Sequence, residues 1–185
     1  FAQNTGGTYG YGGKSLPGTL DDIGNILIVA NGDIGSDVDE VGSNGIYALN
    51  SGVGTYGDVS VYSTGNIYAG GDGIWAENSS LYGDITVGDR SGANSAALGN
   101  ITSSGKYGIH AFQTNSAGNG NVLVDTGIST NFILGAINGI DARTNGTGSV
   151  TVYADNETVT GQTGTGIRAN NYNGASVTDV TVKAS

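Results

Sequence analysis

The chain carries one histidine, sixteen Asp or Glu and six Lys or Arg, so any chemistry it performs rests mainly on carboxylates, hydroxyls and amides. Nucleophilic catalysis needs a base beside the nucleophile. His110 is the sole imidazole, and neither Gly-x-Ser-x-Gly nor Gly-Asp-Ser-Gly occurs, which argues against a catalytic triad. A calcium-assisted proton abstraction from a sugar would combine an Asp cluster with an Arg or Lys base, and glycoside hydrolysis needs paired carboxylates. Asp72 with Glu77, and Asp141 with Arg143, come nearest to these sets, but turn and solvent-face roles suit both better. No catalytic residue is assigned.

Calcium is the one cofactor the residue types admit, because it favours oxygen ligands. Asp33, Asp37, Asp39 and Glu40 form an acidic stretch, and Asp58 and Asp84 precede similar apolar triplets. Asp33, Asp37, Asp39, Asp58 and Asp84 are thus the candidate metal ligands. Their spacing matches neither an EF-hand nor the nonapeptide calcium repeat, and a solvated acidic loop is the simpler reading. Gly118-Asn119-Gly120 lacks the Lys-Ser/Thr of a phosphate loop and reads as a turn. Sequons begin at Asn78, Asn100, Asn145 and Asn156, as chance supplies in a chain with 19 Asn, 19 Thr and 17 Ser.

What positions these residues is a repeat. Gly-Ile-x-Ala occurs five times, at Gly45, Gly73, Gly108, Gly139 and Gly166, with spacings of 28, 35, 31 and 27. Between the copies, a polar residue and an alternating apolar triplet recur six times, beginning at Asn25, Asp58, Asp84, Asn121, Ser149 and Asp179. A weaker element is carried by Ile34, Ile67, Ile101, Ile128 and Val159. Apolar residues at i and i+2 mark strands with one buried face. Three short strands per repeat of about 30 residues bury that face only by coiling and stacking. The expected fold is all-β, a right-handed parallel β-helix of three-strand turns with about five to six rungs over residues 25–185. Residues 1–24 are Gly- and Tyr-rich and serve as an N-terminal cap or arm. Longer repeats place insertions near 89–97 and 129–136.

The 35 Gly among 185 residues leave few helix formers, while 37% hydrophobic content excludes plain disorder. A net charge of −10 and six scattered cations disfavour nucleic acid and anionic membrane surfaces. The longest apolar run, Ile26 to Ala30, is far short of the roughly 20 residues a membrane helix needs, so no membrane insertion is expected. Cysteine is absent, which removes disulfides and is compatible with secretion. The abrupt start at Phe1 suggests a piece of something longer.

Stacked repeats convert positions into columns about 4.8 Å apart. Asn50, Asn78, Gln113, Thr144 and Asn171 form an expected amide turn ladder. Asp58 and Asp84 would repel on neighbouring rungs unless a cation or a turn amide relieves them. The outward column Tyr47, Trp75, His110, Asp141, Arg168 has no two residues alike, so nothing in the lattice dictates it. Tyr47, Trp75 and His110 are its candidate binding surface, an aromatic strip suited to a sugar or protein contact. A covering loop or the Tyr-rich N-terminal segment is the structural alternative.

The pattern G-x-V-x-V, G-x-I, G-I-x-A in an acidic, Cys-free, Gly- and Asn-rich chain resembles the passenger repeats of bacterial autotransporters and related right-handed β-helix adhesins, over about Gly24 to Ser185. The resemblance implies secretion by a Gram-negative bacterium and an extracellular or cell-surface location. Such passengers include adhesins, proteases, esterases and stalks, so fold alone does not choose an activity. The complete core pattern beside a missing catalytic set favours a non-enzymatic surface module for adhesion, self-association or spacing. Its partners would be a host-cell or matrix glycan or protein, or copies of itself. A filament subunit joined through open strand edges and a carbohydrate-active β-helix enzyme are the alternatives.

Overall fold

The computed structural model describes residues 2–4, 24–52, 56–88, 97–127, 132–155, 158–174 and 178–184. Its strands form three parallel sheets. Sheet A holds, in spatial order, β1 (Ala2–Asn4), β3 (Ile46–Asn50), β6 (Ile74–Asn78), β9 (Ile109–Gln113), β12 (Ile140–Thr144) and β15 (Ile167–Asn171). Sheet B holds β2 (Ile26–Ala30), β4 (Val59–Ser63), β7 (Ile85–Val87), β10 (Val122–Asp125), β13 (Val150–Ala154) and β16 (Val180–Ala184). Sheet C holds β5 (Ile67–Ala69), β8 (Ile101–Ser103), β11 (Phe132–Gly135) and β14 (Thr158–Gly161). The chain visits B, C and A in turn and climbs one rung per circuit, giving a β-solenoid of about five turns.

Period-2 alternation sends every second side chain inward. Ile46, Ile74, Ile109, Ile140 and Ile167 stack in register, as do Ala48, Ala76, Ala111, Ala142 and Ala169. Sheet B contributes Val59, Ile85, Val122 and Val150 with Val61, Val87, Val124 and Val152, and together these ladders make one continuous core. On β16, Val180 and Val182 continue the same columns yet stay 44% and 47% exposed.

The glycine of Gly-Ile-x-Ala is there for space. A Cβ on Gly108 would lie 2.6 Å from Ile133 Cγ2 of the next rung and 2.6 Å from the Gly139 carbonyl, and Gly45, Gly73 and Gly139 are closed in the same way by Ile67, Ile101 and Val159. The motif therefore records where sheet A starts tightly against the sheet C ladder.

The acidic stretch leaves the rung. Ile34 and Val41 bridge Ile67 and Ala69 in parallel, so residues 35–40 loop outward between two positions of one strand. One inward position differs from expectation. The fourth-rung partner of Ile101 and Val159 is Ile133, not Ile128, which lies outside the described residues. The extra residues of this repeat precede the strand, so the first isoleucine after the glycine is not the one that reaches the ladder. Of the N-terminal segment, Ala2–Asn4 pairs with β3; residues 5–23, and the insertion at 89–96, lie outside the described residues.

Each corner is tied by side-chain acceptors. Before sheet B, Asn25 Oδ1 accepts the Asp58 N–H (2.7 Å), Asp58 Oδ1 the Asp84 N–H (2.9 Å), Asp84 Oδ1 the Asn121 N–H (2.6 Å) and Asn121 Oδ1 the Ser149 N–H (3.0 Å). Asp33, Asn66 and Asn100 do the same before sheet C, and Asn44, Asp72 and Asn138 before sheet A. Asn50, Asn78, Gln113 and Thr144 of the ladder after sheet A are buried, and the ladder bonds across its turn. Asn78 Nδ2 donates to the Gly57 and Asp84 carbonyls, while Asn78 Oδ1 accepts from Asn50 Nδ2 and the Ser80 N–H.

Two substitutions check this account by chemical denaturation. Gly108→Ala should cost about 1–3 kcal/mol through overpacking against the next rung. Asn78→Ala should cost about 2 kcal/mol or more, because it leaves buried donors and acceptors unmatched. Wild-type stability in either variant would contradict the assigned register.

Candidate functional site

The outer face of sheet A differs from the other two because its register aligns unlike side chains. The column reads Tyr47, Trp75, His110, Asp141, Arg168, and the next outward column, two residues on, reads Leu49, Glu77, Phe112, Arg143, Asn170. Tyr47 and Trp75 are half-buried, with centroids 5.5 Å apart and planes at 56°. They form the two walls of a corner, not the flat stack the repeat distance alone suggests. Trp75 Nε1 donates to Glu77 Oε2 at 3.0 Å, which fixes the indole, and Lys106 Nζ stands 5.3 Å from its ring centroid. Burial, then the Glu77 charge, pushes the Tyr47 phenol up.

His110 belongs to this column by register but is not a surface residue, being only 5% exposed. Trp75 (4.9 Å), Tyr107 (5.0 Å, edge-on) and Phe112 (6.0 Å, stacked) surround its ring, and Arg143 Cζ lies 4.6 Å from the Phe112 centroid. The expectation that His110 is an exposed binding residue is corrected: long outward neighbours fold over it and exclude water. Arg143 Nη2 sits 2.9 Å from Nε2, so Nε2 accepts and Nδ1, buried without a hydrogen bond, carries the proton. Burial, then Arg143, Lys106 and Arg168, pushes the imidazole down to about 3.

One rung on, Asp141 is fully buried. Arg143 Nε lies 3.1 Å and Arg168 Nε 4.0 Å from its Oδ1, ion-pair contacts without hydrogen-bond alignment, so neither carboxylate oxygen is hydrogen-bonded. Burial pushes the Asp141 carboxyl up, against the pull of Arg143 and Arg168. Arg168 also hydrogen-bonds the Tyr172 hydroxyl. At the corner before β6, Asp72 Oδ1 accepts the Tyr107 N–H and Oδ2 has no partner; burial pushes this carboxyl up as well.

The candidate calcium ligands are not gathered. Asp33 lies at the corner before sheet C, Asp58 and Asp84 at the corner before sheet B, and each serves as an acceptor for the next rung's amide. Turn amides therefore relieve the Asp58–Asp84 repulsion. Asp37 and Asp39 are exposed in the outward loop, where the Asp39 N–H bonds Ser36 Oγ. Among the described residues, no group of three His, Asp or Glu is placed to hold a metal ion. Tyr62 belongs to sheet B, and Tyr82 packs 5.1 Å from Tyr56, so neither extends the strip.

Three members of the site, Phe112, Lys106 and Tyr107, went unnoticed in sequence, and Arg143 was named only as a neighbour of Asp141. Phe112 and Arg143 are the next alternating positions of strands already recognised, and reading one step further finds them. Lys106 and Tyr107 precede the Gly108 anchor in a turn, where no periodicity marks direction.

The three in-register parallel sheets make this chain a β-solenoid repeat protein. Comparison with known protein families, characterised proteins and solved structures finds no match for it.

The buried imidazole has a measurable consequence. The unfolded chain protonates His110 near its ordinary 6.5, while the fold resists protonation until about 3. The contribution of neutral His110 is therefore complete above about pH 6.5 and shrinks as pH falls toward 3, by at most about 1.4 kcal/mol per unit. Asp141 shifts the opposite way, which partly masks this in the wild type. Comparison with His110→Gln isolates it: between pH 7 and 4.5 the wild type should lose about 2.5 kcal/mol relative to the variant. A constant stability difference across that range would place His110 in water.

Proposed function

We propose that this chain is a non-enzymatic module displayed outside a bacterial cell, and that it contacts a glycan or protein ligand through the outer face of sheet A. The carrying observation is the corner formed by Tyr47 and Trp75, half-exposed rings held on rigid neighbouring strands at positions the solenoid itself leaves open. Aromatic plates on a fixed scaffold suit sugar and protein recognition, because little side-chain freedom is lost on binding. The non-enzymatic reading is supported by His110, whose ring is occupied by Arg143 and aromatic neighbours and not by a hydroxyl nucleophile. The cell-surface location rests on the resemblance of the repeats to autotransporter passengers.

End-to-end self-association through open strand edges, in the way the parallel turns already stack on one another, is the second reading. Trp75→Ala and Tyr47→Ala separate the two. Under the first reading both variants stay folded and lose binding to host cells or immobilised glycans. Trp75→Ala should melt lower, since it uncovers His110, at a cost of about 1–2 kcal/mol. Unchanged binding in both variants, with open-ended growth in sedimentation as concentration rises, would replace the first reading with the second.

A further inference from the structure

Asparagine followed by glycine is prone to rearrange unaided, because a glycine nitrogen carries no neighbouring side chain to obstruct its approach to the asparagine amide carbon. Six such pairs occur, beginning at Asn31, Asn44, Asn119, Asn138, Asn145 and Asn173. Ring closure needs a side chain free to rotate and a glycine N–H free to leave its partner, and the fold withholds both at most of them. Asn44 Oδ1 accepts the Asp72 N–H at 2.9 Å and Asn138 Oδ1 the Thr165 N–H at 3.0 Å, while the Gly45 and Gly139 N–H groups bond the Asp72 and Thr165 carbonyls. Asn145 Nδ2 donates to the Thr114 carbonyl, and the Gly146 N–H to Thr144 Oγ1. Gly120 is buried against the Gly83 carbonyl, and the Asn173 N–H is held by Asn171 Oδ1 at 2.8 Å.

Asn31 is the exception. It and Gly32 are both exposed, and among the described residues neither the Asn31 side chain nor the Gly32 N–H has a hydrogen-bond partner. A Cβ on Gly32 would meet nothing within 4 Å. The chain is nevertheless anchored on either side, since the Thr64 N–H bonds the Ala30 carbonyl at 2.9 Å and the Ile34 N–H bonds the Asn66 carbonyl at 2.8 Å. The bend after β2 is thus tied to the next rung while its two reacting groups are left loose.

We propose that Asn31 is a site of spontaneous covalent modification, in which the Gly32 nitrogen turns its amide into a carboxylate. The Gly32 nitrogen gives up its proton to solvent and attacks Asn31 Cγ. The bond from Cγ to the amide nitrogen breaks, and ammonia leaves with a proton taken back from solvent. Water then opens the cyclic imide at either carbonyl, so one water is consumed, one ammonia is released and nothing is oxidised or reduced. Opening at one carbonyl gives an aspartyl residue, which adds a negative charge two positions before Asp33. Opening at the other gives an isoaspartyl residue, which also inserts a methylene into the main chain between the Ala30 and Ile34 anchors, beside the corner bond from the Asn66 N–H to Asp33 Oδ1. The reaction is independent of the reading of sheet A as a contact face.

The test incubates the purified chain in mildly alkaline buffer made with oxygen-18 water, folded and in guanidinium chloride, then digests it in ordinary water and follows each Asn-Gly peptide by mass spectrometry. In the folded chain Asn31 should convert at least about tenfold faster than Asn44 or Asn138, because each of those must first break a corner hydrogen bond. In guanidinium chloride the pairs should converge on similar rates. Aspartyl and isoaspartyl peptides should both appear at position 31, each carrying the heavy oxygen. Gly32→Ala, which has open space for its methyl group, should keep the melting temperature and slow the conversion severalfold, and Asn31→Gln should remove it. Conversion of Asn44 or Asn138 as fast as Asn31 in the folded chain overturns the proposal. So does an Asn31 that stays intact while the unfolded chain reacts, or a product that is aspartyl alone, which would mean direct hydrolysis without attack by Gly32.

Discussion

The structure depends on a bond between the side-chain oxygen that precedes a strand and the backbone N–H one rung above it. It recurs at all three corners, through Asn25, Asp58, Asp84 and Asn121 before sheet B, Asp33, Asn66 and Asn100 before sheet C, and Asn44, Asp72 and Asn138 before sheet A. At a corner the chain turns away from its sheet, so the amide there needs another acceptor, and an orphaned amide at every bend would be costly. Short Asn and Asp side chains supply that acceptor within reach of the next rung. The composition follows: Asn and Asp bond at the corners, Gly fits where rungs touch, and Ile, Val and Ala fill the interior.

The same bond makes an acidic chain tolerable. Asp58 and Asp84 stand on neighbouring rungs, but each carboxylate faces an amide dipole, which offsets part of the repulsion. Asp33, Asp58, Asp72 and Asp84 are engaged in this way at the solenoid's corners, while the outer face of sheet A collects most of the described cations. Net charge describes long-range behaviour at low salt; recognition at a given face follows the charges within a screening length.

The inward half of the molecule was legible because it is periodic. Gly-Ile-x-Ala recurs since its Gly must clear the next rung's sheet C side chain, its Ile and Ala enter the core, and its third residue is unconstrained. The reading failed where the repeat is longer: Ile128 follows a glycine as its counterparts follow small or polar residues, but it is Ile133, five residues further on, that pairs with Ile101 in the ladder. It failed again at His110, where alternation correctly gave direction and wrongly implied exposure. Direction is a property of the strand; burial depends on whether long neighbours at Trp75, Tyr107, Phe112 and Arg143 fold over the residue. No period-2 pattern carries that information, because Trp75 and Arg143 come from the neighbouring rungs and Tyr107 from a turn.

The covered patch also explains why the unusual side chains sit on sheet A. A buried imidazole donor without an acceptor and a carboxylate with neither oxygen hydrogen-bonded each cost on the order of 1–3 kcal/mol, and a small domain whose only core lay there would not sustain both. Here the core is inside the coil and complete without the outer face, since every inward position of β6, β9 and β12 is filled by Ile, Ala or a bonded polar residue. Two guanidiniums beside Asp141 lessen its cost without removing it, as the upward shift of its carboxyl shows. A stable interior thus permits a strained exterior, and it does so at the rungs adjoining the Tyr47–Trp75 corner, where His110 supports Trp75 from behind at 4.9 Å. The polar cluster is therefore best understood as the foundation of the aromatic corner: it fixes the rings against rigid strands, so that a ligand meets them already in place.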